Sequence, residues 1–290
     1  MGREAAKGLP PMMHVVTVHF MDDRWIGPQL RFMKRHLPAE HRVYGCLNGI
    51  DPAWRDVFHA TFDLEGKHAD KLNELAGIVT RSGAAPEDLL LFIDGDAFPI
   101  APVDRELLGG TPLAAVRQDE CNGDKQPHPS FCLTTVGFWN EIGGDWRQGY
   151  QWEVEMGGTM TDVGGNLLGL LERNNITWRP LLRSNPLPPE DPMLFGIYAD
   201  VVYHHGAGFR VPKSRQMIMQ SRQGVLRASS DARTPAWVPV VGRLERSARY
   251  RLADYRHRKQ LSELAGKATT SSDEVFRKIL TDDEFYKELR

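Results

Sequence analysis

The segment "EDLLLFIDGDAFPI" (residues 87–100) runs five apolar side chains together and then stops on two aspartates separated by a single glycine. An apolar run of this length, bounded by turn residues, predicts a strand buried on both faces, as in a sheet covered by helices. The sequence on its N-terminal side agrees. "HVVTVHF" (14–20) is dominated by β-branched residues and predicts a first strand, and "HRVYGCL" (41–47) a second. Between them "WIGPQLRFMKRHL" (25–37) places Ile26, Leu30, Met33 and Leu37 at helical spacing, with Pro28 near the start, where a missing N–H costs little. "GKHADKLNELAGIVTRSG" (66–83) repeats the amphipathic pattern through Leu72, Leu75 and Val79 and leads into the buried strand. Strands alternating with helices predict an α/β fold, in which ligands collect beyond the carboxyl ends of the strands. Asp94 and Asp96 lie at such an end.

Farther along, residues 121–165 are rich in glycine, tryptophan and polar residues and read as long loops over a site. "GGNLLGLLERNN" (164–175) predicts a short helix from about Asn166 to Arg173, and "ITWRPLL" (176–182) and "ADVVYHH" (199–205) predict strands. The chain turns Ser- and Pro-rich from Ser229 to Pro239. Beyond it, two helices are expected over residues 243–264 and 271–289, the second capped by Ser272 and starting its apolar face at Val275. The organisation read from the sequence is a leader (1–12), a catalytic domain (13–228), and a linker with a helical C-terminal extension (229–290). No internal repeat is found.

Composition narrows the function. The 290 residues are 41% hydrophobic and 26% charged with a net charge of −2, enough apolar content for one large core and no global pull toward nucleic acid. Cys46, Cys121 and Cys132 are odd in number and too widely spaced for a C-x-x-C motif. No secretory signal accompanies them, so a reducing, cytoplasmic setting is expected. No apolar run approaches the roughly 20 residues of a bilayer span, and "MGREAA" lacks the hydroxyl residue of a myristoylation signal.

Chemistry enters at three places. Residues i and i+2 of an extended segment face the same way, so Asp94 and Asp96 aim their oxygens at one point past the sheet edge. Two such carboxylates repel unless a cation lies between them, and hard ions such as Mn²⁺ or Mg²⁺ bind through one or two carboxylates together with substrate phosphates. A plain Asp-Gly turn is the structural alternative. In "YHHGAGFRVPK" (203–213), His204 and His205 end a strand just before a glycine-rich turn with Arg210 and Lys213, two cations suited to a leaving diphosphate. Alternation lets only one histidine face the aspartates; His205 is taken as the ligand, with His204 the alternative. In "MTDVGGNLLGLL" (160–171), Asp162 precedes a helix, where a carboxylate serves as a general base toward an acceptor hydroxyl, hydrogen-bonds a sugar, or caps the helix. His128, Asp145, Trp146, Trp152 and Glu153 lie nearby in sequence, as sugar-holding or packing residues.

These residues resemble a family. "LLLFIDGDAFPI" is similar to the metal-binding D-x-D strand end of nucleotide-sugar glycosyltransferases with the GT-A fold. "HHGAGFRVPK" resembles the His-Gly-basic element near the end of several such domains. The resemblance spans roughly residues 13–215, with "HADKLNEL" as the helix that precedes the D-x-D. It implies a Rossmann-like mixed sheet flanked by helices and transfer of a sugar, typically a hexose, from a nucleoside-diphosphate sugar to a carbohydrate or small-molecule acceptor. It further implies that Asp96 is the principal Mn²⁺ ligand, with Asp94 near the ribose or the metal and His205 completing the sphere. Thr17, His19 and Asn48 should meet the nucleoside, and Lys71 and Asn73 should lie by the ribose or diphosphate. Asp162 matches the base of enzymes that invert configuration; Thr161 stands where these usually carry glutamate, which leaves retention open.

Two other readings use the same aspartates: a metal-dependent nucleotidyltransferase or phosphohydrolase, and a non-catalytic nucleotide-sugar binding module. "HFMDDRWIG" (19–27) is not the Gly-rich, Arg-containing loop of nucleotidyltransferases. Residues 243–259 carry seven arginines and lysines with Tyr250 and Tyr255 among them, suited to a membrane surface, an acidic acceptor or a second copy, or simply to a solvated helix.

Overall fold

The computed structural model describes residues 11–121, 123–153, 158–191, 193–209 and 239–290. Strand β1 (Met13–Phe20) is followed by helix α1 (Ile26–His36), β2 (His41–Asn48), the short β3 (Ala60–Phe62), α2 (His68–Arg81) and β4 (Leu89–Asp94). β1 lies between β2 and β4 and is parallel to both, and β3 extends the sheet beyond β2 in the same direction. These strands are the β-branched and apolar runs of the sequence, and helices cover them. α2 lays Leu72, Leu75, Ala76 and Val79 against one face, and α1 buries Ile26 and Met33 against the other.

β5 (Ala97–Pro99) and β6 (Leu113–Val116) come next. Residues 121–165 depart from the expectation of loops alone. β7 (His128–Thr135) is a central strand, antiparallel to both β4 and β6, and α3 (Val136–Glu141) follows it. Pro129, which argues against a central strand, is accommodated because the register of β6 and β7 shifts between Ala115 and Val116, so the missing N–H falls at an irregularity. The chain continues through β8 (Trp152–Glu153), β9 (Thr159–Met160), α4 (Gly165–Arg173) and β10 (Arg179–Leu181). The result is a seven-stranded mixed sheet flanked by helices, in the order β10-β6-β7-β4-β1-β2-β3. A second, three-stranded antiparallel sheet forms from β11 (Gly196–Tyr198), β12 (Val202–His204) and β5.

The C-terminal residues form one helix where two are expected. α5 runs unbroken from Pro239 to Thr281 and is followed by a 3₁₀ turn over Phe285–Leu289. Thr269 and Thr270 satisfy their hydroxyls within the helix by donating back to the carbonyls of Ala265 and Gly266. Ser272 is an interior residue of α5, not a cap; its Oγ lies 2.7 Å from His205 Nε2. Ala268, Ile279 and Phe285 pack with Trp25, Phe32, Phe98 and Tyr203. Arg31 donates to the carbonyls of Leu280 and Ile279, and Arg31 and Arg35 pair with Asp283. The end of the chain thus closes the core between α1 and the three-stranded sheet. Among the described residues no helix is long and apolar enough to cross a membrane.

Phe285 is 1% exposed and touches Phe32, Phe98 and Tyr203 edge-on. Phe285→Ala should cost about 3–5 kcal/mol and lower Tm by roughly 6–20 °C. Leu252→Ala, on the exposed part of α5, should shift Tm by less than about 2 °C. Equal effects in thermal unfolding would show that the C-terminal turn is not part of the core.

Candidate metal and donor site

The chain leaves the large sheet at Asp94 and enters the small one at Ala97, so Gly95 and Asp96 alone make the crossing. Space at the crossing dictates its glycine. A Cβ on Gly95 would lie 2.8 Å from the Val18 carbonyl oxygen and 2.9 Å from both His19 Nδ1 and the Phe209 ring. From the other side the turn is held by Gln29, a fully buried amide on the apolar face of α1. Its Nε2 donates to the carbonyls of Asp94 (2.7 Å) and Ala97 (2.9 Å), while its Oε1 lies 3.3 Å from Thr17 Oγ1 and 3.1 Å from His19 Nε2. The sequence carried a signal for it: Gln29 is a polar residue three positions after Ile26, within an apolar stripe.

Antiparallel pairing sets what faces Asp96. β12 runs beside β5 with His204 opposite Ala97, and the His205 N–H donates to the Asp96 carbonyl at 3.0 Å. The choice of histidine differs from the expectation. His204 Nε2 lies 3.5 Å from Asp96 Oδ1, with Gln118 Nε2 3.4 Å from its Nδ1. His205 points the other way, its Nδ1 2.7 Å from the Tyr203 hydroxyl and its Nε2 2.7 Å from Ser272, with Trp25 and Phe195 packed on the ring. Burial lowers its pKa to about 3, so it is a neutral core histidine. Alternation on the strand holds, with the two faces exchanged.

Asp94 faces His68, the first residue of α2, whose Nε2 is 3.2 Å from Oδ1. Burial alone would raise the pKa of both aspartates, but His68 beside Asp94 and His204 beside Asp96 outweigh it and hold both below the usual carboxylate range. The same pairing overcomes burial at the two histidines and raises their pKa values. Asp96 Oδ2 also accepts the Gly208 N–H at 2.9 Å, and a Cβ on Gly208 would come within 2.6 Å of that oxygen. Arg24 and Trp25 donate to the Gly208 carbonyl, so this turn is gripped on both sides.

A divalent cation fits this group. One ligand atom each from Asp94, Asp96 and His204 lies within 4.8 Å of the others. Asp94 Oδ1 is buried and has no hydrogen bond, the His68 contact not being aligned for one. Two carboxylates and an imidazole are a donor set that suits Mn²⁺.

Two cavities meet at this group. The larger, of about 490 Å³, is lined by Val18, Phe20, Gly66, Lys71 and Gly95, the smaller, of about 250 Å³, by His128, Asp162, Val163, Met193 and His204, and both by His68, Asp94, Asp96 and Phe209. On β1 it is Val18 and Phe20 that face the larger cavity, whereas Thr17 and His19 turn inward onto Gln29. Lys71 sits in that cavity with its ammonium 5.4 Å from the Phe20 ring centre and bonded to Asn48 Oδ1. Asn48 also bonds Asp63 and the Leu64 carbonyl, so it acts on the cavity through Lys71. Asn73 lies elsewhere: its Nδ2 donates to Asp145 and its Oδ1 accepts the Trp146 N–H. Asp145 collects Asn73, Asn166 and Arg147 and organises the loop before α4. Trp146 and Trp152 are buried, Trp146 against Phe92 and Trp139, and Glu153 is exposed.

Asp162 lines the smaller cavity and is not the cap of α4, whose N-cap is Gly164. Its Oδ1 accepts the Val163 N–H at 2.9 Å and Gln148 Nε2 at 3.3 Å. His128 accepts the Ser130 N–H on Nδ1, which leaves the ring proton on Nε2; burial lowers its pKa to about 4. Arg210 and Lys213 lie outside the described residues.

No family model and no curated protein sequence matches this chain. Solved structures to which it is similar include glycosyltransferases. One is the mannosyltransferase PcManGT from Pyrobaculum calidifontis in complex with GDP-Man and Mn²⁺, at 12% identity and a TM-score of 0.42, covering 92% of this chain and 76% of that one. Two others are structures of the glycosyltransferase GlyE from Streptococcus pneumoniae TIGR4, each at 16% identity and a TM-score of 0.32. The matches to GlyE cover 46% and 58% of this chain and only 36% and 41% of GlyE.

The geometry separates the two histidines experimentally. His204→Ala should weaken Mn²⁺ binding at least tenfold, read by paramagnetic resonance titration. His205→Ala should lower Tm by several degrees and leave Mn²⁺ affinity within about threefold. The reverse order would return the ligand role to His205.

Proposed function

We propose that this chain is a metal-dependent glycosyltransferase of the GT-A type, moving a hexose from a nucleoside diphosphate to an acceptor hydroxyl. The observation that carries the reading is the Asp94–Asp96–His204 group standing where two cavities join. A donor of this kind has a diphosphate at its middle, a nucleoside on one side and a sugar on the other. The larger cavity, with Val18 and Phe20 in its wall and Lys71 at its edge, suits the nucleoside and diphosphate. The smaller one, with Asp162 and His128, suits the sugar and the acceptor oxygen. Thr17, His19 and Asn48 then support this wall from behind, and Arg210 and Lys213 are retained from the sequence as cations for the leaving group.

Asp94, Asp96 and His204 would hold Mn²⁺ or Mg²⁺, which supplies positive charge to the departing diphosphate. The remaining work falls to the chain itself. Lys71 contributes a fixed ammonium toward the phosphates. The neutral His128 donates its Nε2–H to a sugar or acceptor oxygen without adding a second cation. Asp162 takes the proton of the acceptor hydroxyl as that oxygen bonds to the anomeric carbon, while the carbon–oxygen bond to the diphosphate breaks and its electron pair leaves with the phosphate. Attack from the face opposite the leaving group inverts the centre. Val163, Met193, Ala207 and Gly208 line the same cavity as Asp162, and the acceptor would enter there.

Two measurements test this. A matching nucleoside diphosphate at 100 times its Kd should add about 2.7 kcal/mol and raise Tm by roughly 5–10 °C with Mn²⁺, and much less in EDTA. Equal shifts in both conditions across a panel of bases would defeat the metal reading. Asp162→Asn should leave that stabilisation near wild type while transfer falls by roughly 10² to 10⁴ fold, whereas Asp96→Asn should lose both together. An active Asp162→Asn would restrict the residue to acceptor contact. Cleavage elsewhere in the phosphate chain of a nucleotide sugar would indicate a nucleotidyltransferase or phosphohydrolase, and binding without turnover a binding module.

A further inference from the structure

The N-terminal half of α5 is an exposed helix whose apolar stripe faces solvent. Among the described residues no side chain from 243 to 264 is buried; burial begins at Ala265 and Ala268. At about 1.5 Å per residue, this stretch is about 30 Å of helix that does not pack into the core. Leu244, Ala248, Leu252 and Tyr255 recur at i, i+4, i+8 and i+11, one face of a helix, and Leu244, Leu252 and Tyr255 are 66%, 50% and 63% exposed. A helix in water normally turns such a stripe inward.

Cations border the stripe. At about 100° per residue, Arg251 and Arg258 fall along one edge and Arg249 and Arg256 along the other. Residues 243–259 hold seven cationic side chains against Glu245 and Asp254, in a chain whose net charge is −2, so the rest of the molecule is acidic. Glu245 and Asp254 pair with Arg249 and Arg258 and leave Arg251 and Arg256 available. An acidic body with a basic, amphipathic arm is drawn to a negative surface in one orientation only. We propose that this part of α5 is a docking surface for an anionic lipid bilayer, lying in the interface with Leu244, Leu252 and Tyr255 toward the acyl chains and the flanking arginines at the headgroups. A second copy of the chain is disfavoured as the occupant, since pairing two such arms would set like charges side by side.

Flotation of the full-length protein with vesicles tests this. Binding is expected to vesicles of phosphatidylcholine mixed with phosphatidylglycerol, not to phosphatidylcholine alone, and high salt should weaken it. Arg251→Glu with Arg256→Glu should reduce binding by at least about tenfold, and Leu252→Ser with Tyr255→Ser should do the same while leaving the charge intact. Both variants should keep the Mn²⁺-dependent nucleotide shift, which separates failure here from failure of the glycosyltransferase reading. Absence of binding, equal binding to both kinds of vesicle, or unchanged binding by the variants would overturn the proposal. So would a two-chain mass in light scattering that the same substitutions abolish, which would assign the stripe to a second copy.

Discussion

The structure turns on a change of sheet made in two residues. Ending one strand at Asp94 and starting another at Ala97 leaves two backbone carbonyls in the interior with no ladder to join, and a buried unpaired carbonyl costs about as much as a lost hydrogen bond. Gln29 answers both with one amide and is in turn oriented by Thr17 and His19. Because the backbone is held there, Asp94 and Asp96 cannot separate, although both are charged and largely withdrawn from water. Their repulsion is offset by His68 on one side and His204 on the other, and the group is shaped for a cation between them.

The same crossing recruits the C-terminal part of the chain. β5 can exist only because β12 pairs with it, and that pairing delivers His204 to the site and His205 to the core. His205 is fixed by Tyr203 and by Ser272 of α5, and Trp25 packs against both its ring and Phe276. Trp25 and Arg24 also hold the carbonyl of Gly208, whose N–H binds Asp96. The last helix therefore supports the Asp94–Asp96–His204 group through two layers of side chains. Its exposed half has no such duty and is available for a different partner.

How much of this the sequence discloses depends on whether a signal is local. The run "LLLFI" and its two aspartates mark the strand and the candidate site at its end, because burial on both faces and a sudden pair of carboxylates are visible in a few residues. α1, α2 and α4 are likewise marked by their periodicity. β7 is obscured because Pro129 and the polar residues before it look like a loop, and only pairing with β4 and β6 reveals a strand. His204 and His205 show that alternation tells how many side chains face a site but not which; that depends on the register with β5. Ser272 looks like a cap because a hydroxyl before an acidic turn usually is one, and only the distant His205 explains it. Thr17 and His19 read as donor contacts and prove to lie on the opposite face of β1 from Val18 and Phe20.

The central claim is that Asp94, Asp96 and His204 together hold a divalent ion against a diphosphate. Crystals grown with Mn²⁺ and a stabilising nucleoside diphosphate, measured with anomalous scattering from manganese, test it directly. The account predicts one strong anomalous peak within about 2.0–2.4 Å of an oxygen from each aspartate and of His204 Nε2, in contact with the diphosphate. A peak coordinated elsewhere, or a diphosphate bound in these cavities with no metal beside Asp94 and Asp96, would contradict it.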